Sequence, residues 1–417
     1  MQEPSFEIKH DPYAALKIPE FRLYVAARFC ITIALQIQAV IVGWQIYQIT
    51  KDPLSLGLIG LAEALPSIFV ALYAGYVADS YNRKAIIVSA VSVLVVCSSA
   101  LWFFTIDTGA FVLHNGVLPI YAVIFLSGIA RGFMGPATFS FMPQLMPDRK
   151  FYANAITWSS TTWQAASVAG PAIGGLLFGF FGISAAYAID ALLTVFAFVF
   201  YFLIKAKPLP PTTEAKQSMK ESLLSGFRFV FSNQIILGAI SLDLFAVLFG
   251  GAVALLPVFA SEILEAGPQG LGFLRAAPAV GSVLMAIYLA HRPVSVNAGK
   301  KMLLCVAGFG VCIILFGLSR SFWFSLVLLA LSGVFDSISV IIRSTLIHTF
   351  TPEHMKGRVS AVNNIFVGSS NEIGAFESGF AARIMGVVPS VVFGGAMTLL
   401  VVGITAFKAK KLRDLQL

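Results

Sequence analysis

Gly75-Tyr76-Val77-Ala78-Asp79-Ser80-Tyr81-Asn82-Arg83-Lys84 stands between two apolar runs, 54–78 and 85–106, each long enough to cross a bilayer. A link this short between two spans is a tight turn at one membrane surface, because lipid tolerates no unpaired backbone. Gly75 has no side chain, so neighbouring helices can approach closely there. Asp79 closes the first run, and Arg83 follows about one turn later, within reach of an ion pair; Lys84 adds a second cation. Asn82 tolerates the left-handed turn conformation. The plainest alternative is an ordinary charged loop.

Composition favours a polytopic membrane protein over a large soluble core. Of the 417 residues, 58% are hydrophobic and 12% charged, where soluble domains carry about 25% charged residues. Mean hydropathy is +0.86. The segment before the first span is polar and mixed in charge, no cleavable signal peptide is visible, and the first span is expected to direct insertion. Cys30, Cys97, Cys305 and Cys312 all fall inside apolar runs. They read as small buried hydrophobes rather than a disulfide set or a metal site. The histidines are scattered, and there is no Ser/His/Asp set and no Gly-x-x-x-x-Gly-Lys-Ser/Thr loop. Neither an enzyme, ATP hydrolysis, a cofactor nor a metal is expected.

The chain reads as an all-α membrane protein with twelve spans, near 22–48, 54–78, 85–106, 119–141, 154–178, 184–205, 235–260, 269–290, 301–318, 322–346, 360–384 and 388–407. Alternate loops then fall on one side, and that side collects about 21 of the 28 Lys and Arg. The other side has only Lys51 and Arg320. Such asymmetry places both termini in the cytoplasm. It also accounts for the basic pI without a nucleic-acid partner.

The only long polar interior stretch is 205–233. It opens on Lys-Pro-Leu-Pro-Pro-Thr-Thr, which breaks helix. Residues 219–231 then place Leu223, Phe227 and Val230 on one face, with Lys220 and Glu221 opposite, as in an amphipathic helix on the membrane surface. The expected organisation is a bundle of six spans (1–206), a linker with this helix (207–233) and a second bundle of six (234–417). The halves repeat: Met-Pro-Asp-Arg-Lys-Phe-Tyr-Ala-Asn-Ala (146–155) follows the fourth span, and Thr-Pro-Glu-His-Met-Lys-Gly-Arg-Val-Ser-Ala (351–361), with Arg358, follows the tenth. Two six-span halves are typical of transporters, with a substrate path between them.

The opening turn, Gly-x-x-x-Asp-x-x-x-Arg-Lys between the second and third spans, resembles the cytoplasmic signature of the major facilitator superfamily, with Asn82 where the second Gly is usual. Gly170-Pro171-Ala172-Ile173-Gly174-Gly175 in the fifth span resembles that superfamily's antiporter motif, which implies export; alternatively it is a packing kink without directional meaning. Arg131, within Gly-Ile-Ala-Arg-Gly-Phe-Met-Gly-Pro, looks like its buried-arginine motif, tied to proton coupling. Ala27-Arg28-Phe29, Ser-Leu-Leu-Ser-Gly-Phe-Arg-Phe (222–229), Gly-Phe-Leu-Arg-Ala-Ala-Pro (272–278) and 352–361 resemble the drug/proton antiporter branch that includes bacterial enterobactin exporters and macrolide efflux proteins.

Charges inside a bilayer cost about 2.5–3.5 kcal/mol each, so each needs a partner or a wet cavity. The spans hold Arg28, Arg131, Arg275, Arg343 and Arg383 against Glu63, Asp190, Asp243, Asp336, Glu372 and Glu377. Arg131, Asp336 and Glu372 fall near span centres, and Glu63 slightly outward of centre. Arg275, Glu377 and Arg383 lie toward the outer face, where long side chains can snorkel. Asp243 and Arg343 share a depth near the cytoplasm and suit a cross-helix ion pair that gates cytoplasmic opening. A carboxylate in low dielectric takes up a proton more readily than in water. Glu372 therefore leads as a proton carrier, followed by Glu63 and Asp336, with Arg131 as their neighbour. The competing reading is that these acids only neutralise buried arginines. The eleventh span is unusually polar, and Asn371 and Glu377 with Gln38 and Gln45 of the first span are expected to line a cavity.

Together these readings imply a secondary active transporter in a bacterial inner membrane, a monomer surrounded by lipid. Proton-coupled export of a small amphipathic compound, such as a siderophore or drug, leads. A lipid or lysophospholipid flippase of the same fold, and a non-transporting scaffold or receptor, are the alternatives.

Overall fold

The computed structural model describes residues 12–106, 115–205, 207, 219–291, 297–352, 355–413 and 415. Nine helical stretches among them are long and apolar enough to cross a membrane. One of these is two spans. The helical run Tyr152–Leu203 turns at Gly182, whose φ of 82° and ψ of 174° lie in a region only glycine enters freely. Two more helices cross despite polar interruptions: Pro53–Ser80, with Glu63 and Pro66 inside it, and Lys356–Met385, with its polar face. The total is the expected twelve. Gly386, with φ 92° and ψ 159°, separates the eleventh span from the twelfth, Val387–Lys408, as Gly182 separates the fifth from the sixth.

Short polar side chains set several boundaries by accepting from otherwise unpaired N–H groups. Asp52 accepts from Leu54 N at 3.0 Å, Asn82 from Ala85 N at 3.2 Å and Asn233 from Ile235 N at 3.0 Å. In the turn 75–84, Arg83 donates to Ala78 O at 3.2 Å and Ser140 O at 3.0 Å, and Lys84 donates to Phe202 O at 2.8 Å. These two cations thus tie down the C-terminal carbonyls of the second, fourth and sixth spans, where the helix dipoles also favour positive charge. The surroundings of Gly75 and the side chain of Asp79 lie outside what the structure describes, and with them the expected Asp79–Arg83 pair.

One expectation is corrected. The seventh span does not run unbroken to residue 260. Its helix Gln234–Phe249 stops at Gly250-Gly251 and continues through a 3-10 turn, Ala252–Leu255, and a π turn, Phe259–Ile263. Adjacent glycines weaken helix, and here they let backbone meet backbone: a Cβ on Gly251 would lie 3.2 Å from Gly374 O. The linker helix, Met219–Ser232, packs part of its apolar surface on protein and leaves Leu224 and Phe231 exposed. Val230 is fully buried, Phe227 stacks near Phe366 with ring centroids 6.1 Å apart, and Arg358 donates to Ser225 Oγ at 2.9 Å.

The first six spans gather a core around Tyr24, Phe141 and Tyr201, and the last six one around Phe259, Phe316 and Leu329, which Val40 of the first span joins. The halves meet at two glycine crossings. The second span meets the eleventh where a Cβ on Gly379 would lie 2.8 Å from Gly57 Cα, and the fifth meets the eighth where one on Gly175 would lie 2.9 Å from Pro268 O. Both crossings lie toward the face away from the turn 75–84 and the linker helix. Tyr47 donates to Glu262 at 2.5 Å and Arg383 pairs with Asp52 at 3.3 Å on that same face. Tyr47, Leu56 and Val258 form an apolar plug beside them. On the basic face, a Cβ on Gly135 or Gly368 would meet nothing within 4 Å. The halves are therefore closed on the far face and parted on the basic one.

Candidate functional site

The parted halves enclose a central cavity of about 510 Å³ lined from both halves, in the range of drug-sized ligand pockets. Its charged core is assembled by glycines. A Cβ on Gly128 in the fourth span would lie 2.7 Å from Glu63 O and 2.8 Å from the Pro66 ring. Without that Cβ the second and fourth spans close up, and Arg131, one turn beyond Gly128, reaches Glu63 and forms an ion pair with it. Gly60, one turn from Glu63 on the other side, faces the eleventh span: a Cβ there would lie 3.5 Å from Glu372 Oε2. Arg131 thereby also interacts with Glu372. The guanidinium thus pairs with a carboxylate of its own half and faces a second carboxylate, Glu372, across the cavity, and the trio carries a formal charge of −1 that a single proton would cancel.

Asp336 joins the cavity wall from the tenth span, Asn371 from the eleventh and Gln38 from the first. Of the residues expected to line a cavity, Gln38, Arg131 and Asn371 are found on its wall, and Glu63, Asp336 and Glu372, expected as proton carriers, lie there too. Gln45 and Glu377 are corrected. Gln45 is turned away and accepts a hydrogen bond from Tyr187 at 2.7 Å, in a buried packing contact. Glu377 lies on the eleventh span but is not among the residues lining the cavity. Asp243 and Arg343 do pair, each side chain only 6% exposed. Both belong to the second half, so the pair ties the seventh span to the tenth and does not bridge the two halves. Gly170 and Gly174 pack on Gln36 and Ile37 of the first span, and Gly175 packs on Gly272 across the seam.

Among the lining residues not foreseen, Arg275 and the Gly250-Gly251 pair bear on the chemistry and shape of the site. Arg275, expected to snorkel, lines the cavity instead. Gly250-Gly251 also lines it. The doubled glycine in an apolar run is the one sequence signal that marks that break.

The matching proteins agree with this architecture. The chain fits the family described as transmembrane secretion effector over residues 10–416. It is 29% identical over 388 residues to the enterobactin exporter EntS of Escherichia coli O1:K1 / APEC, across 93% of this chain and 90% of that protein. It is 30% identical over 390 residues to the enterobactin exporter EntS of Shigella boydii serotype 4 (strain Sb227), again across 93% and 90%. Among solved structures, the POT family transporter PepTSo superposes with a TM-score of 0.72 over 95% of this chain and 98% of its own, at 14% identity, a likeness of fold alone. With a family match over nearly its whole length and a fold shared with solved transporters, the chain is a multi-pass membrane transporter that belongs to the transmembrane secretion effector family of the major facilitator superfamily.

Proposed function

We propose that this chain is a proton-coupled exporter, moving a small amphipathic compound out across a bacterial inner membrane by alternating access. The observation that carries the reading is the Arg131–Glu63 pair of one half lining the same cavity as Glu372 of the other, beside Gly60. When the halves rock to open the far face, Glu372 must part from this cluster. A carboxylate losing its counter-charge in a low-dielectric seam is driven to take up a proton. Protonation and opening are thereby linked.

The excess of Lys and Arg on the face bearing both termini supports placing that face in the cytoplasm, which makes the present arrangement inward-open. The names of the relatives and the Gly170-Pro171-x-x-Gly174-Gly175 motif support export. The enterobactin named for those relatives makes siderophores the first substrates to try. The cavity is complete within one chain, so a monomer is the working unit.

The test is transport into proteoliposomes with enterobactin and with a fluorescent phosphatidylethanolamine as separate cargoes. Enterobactin flux should rise with an imposed pH gradient and fall to the no-gradient level in Glu372→Gln. Equal flux with and without the gradient removes proton coupling. Movement of the phospholipid but not of enterobactin replaces export of a soluble compound with lipid flipping.

A further inference from the structure

Four of the five arginines within the spans have polar partners in the protein. Arg131 has Glu63 and Glu372, Arg343 has Asp243, Arg383 has Asp52, and Arg28 donates to Tyr24 OH at 3.3 Å. Arg275 has neither an ion pair nor a hydrogen bond among the described residues, and its Nε is buried with no acceptor. It nonetheless lines the cavity.

We infer that Arg275 is the docking point for an anionic group on the transported compound, an inference that rests on the transport reading above.

Position supports it. Arg275 lies about 12 Å along the eighth span from the Gly267 end, near the closed far-face end of the cavity. Gly43 of the first span leaves room beside it: a Cβ there would stand 3.4 Å from the nearer guanidinium nitrogen. The acid on the adjacent tenth span does not neutralise it. Ser337 donates to Ser282 O at 3.2 Å, which sets Asp336 level with Ser282, seven residues or about 10 Å from Arg275 toward the basic face. A cation left without a counter-charge in a membrane interior is costly, and such residues mark substrate paths.

The guanidinium fork suits a carboxylate, sulfonate or phosphate bidentately. Ile313, Phe309 and Leu329 line the same cavity and offer apolar surface for the rest of the molecule. The substrate class is therefore an amphipathic organic anion that enters from the basic face, charged end first. Arg131, already paired with Glu63, is left to the proton.

The test uses the purified full-length protein in lipid-free detergent, which separates a free organic acid from a lipid headgroup, with 2-naphthoate and 2-naphthamide as a matched pair. Thermal stabilisation by the acid should need a concentration roughly 10- to 100-fold lower than by the amide, the range of a charged hydrogen bond. Arg275→Gln should erase that preference and Arg275→Lys should keep part of it. Gly43→Asp, which supplies an internal carboxylate, should erase it with Arg275 still in place and covers the case in which Arg275→Gln does not fold. Equal stabilisation by both compounds, stabilisation by neither, or a preference that survives both Arg275→Gln and Gly43→Asp would overturn the assignment. Spin labels on the two halves report on the transport reading separately. A neutral compound that drives alternation preserves transport while removing the anion site, whereas no change of distance with any compound removes transport itself.

Discussion

Asp243 and Glu63 each pair with an arginine inside the bundle, yet their substitutions should differ severalfold in cost. The Asp243 and Arg343 side chains are each 6% exposed, whereas those of Glu63 and Arg131 are 25% and 38% exposed to the cavity. Removing one partner of a buried pair strands the other charge, at about 3–5 kcal/mol. Asp243→Asn should therefore lower the thermal unfolding midpoint in detergent sharply, and replacing both partners, Asp243→Leu with Arg343→Met, should restore most of it. Glu63→Gln leaves Arg131 with Glu372 and cavity water and should cost about 1 kcal/mol or less. A midpoint lowered equally by both single variants would contradict this. The Asp243–Arg343 partnership was legible in the sequence because both residues share a depth. Arg275 and Gln45 were not, because depth says nothing of direction. Gln45 shares a helix face with Gln38 but is captured by Tyr187, and Arg275 turns inward beside Gly43. Those neighbours come from distant spans and are set only by the tertiary fold.

At the scale of elements, apolar length and charge gave twelve spans, and what they hid was where helices bend. Gly182 is the informative case, because 5 and 6 form one run of helix with a single residue at the corner. A Cβ on Gly182 would meet nothing within 4 Å, so Gly182→Ala changes backbone strain and little else. Its φ of 82° with ψ of 174° lies outside the left-handed helical basin that other residues visit, and the cost should be about 1–3 kcal/mol. Gly116, with φ 69° and likewise nothing near its missing Cβ, sets the comparison: Gly116→Ala should cost no more than about 1–2 kcal/mol. Unfolding midpoints of the two variants decide the order, and equal midpoints would mean that the corner relaxes when substituted. The break at Gly250-Gly251 was overlooked for a related reason. Hydropathy is continuous through it, and the doubled glycine gains its meaning from the eleventh-span backbone that approaches there.

At the scale of the whole molecule, the repeat of two halves was legible from the matched segments 146–155 and 351–361, but which face is closed was not. One sequence must support both arrangements, and the balance between them rests on contacts across the seam. Among the contacts that close the far face, two differ most in kind. The Asp52–Arg383 pair is 33% and 58% exposed on its two side chains, and a pair so open to water contributes about 0–1 kcal/mol. Asp52→Asn should then shift the ratio of open to closed far face by no more than about fivefold. The glycine crossings act differently. A Cβ on Gly175 would already lie 2.9 Å from Pro268 O and 2.5 Å from Gly272 Cα, both backbone atoms that cannot swing aside. Gly175→Leu should therefore exclude the closed far face instead of merely weakening it. Spin labels at Phe103 and Trp323, both exposed and on opposite halves, should move apart in Gly175→Leu and shift only slightly in Asp52→Asn. Labels at Tyr81 and Leu224 on the basic face should draw together in Gly175→Leu if the halves rock as rigid bodies. An increase on the far face with no change on the basic face would mean that the fifth and eighth spans bend locally, and that the coupling of Glu372 release to far-face opening has to be carried by those two helices alone.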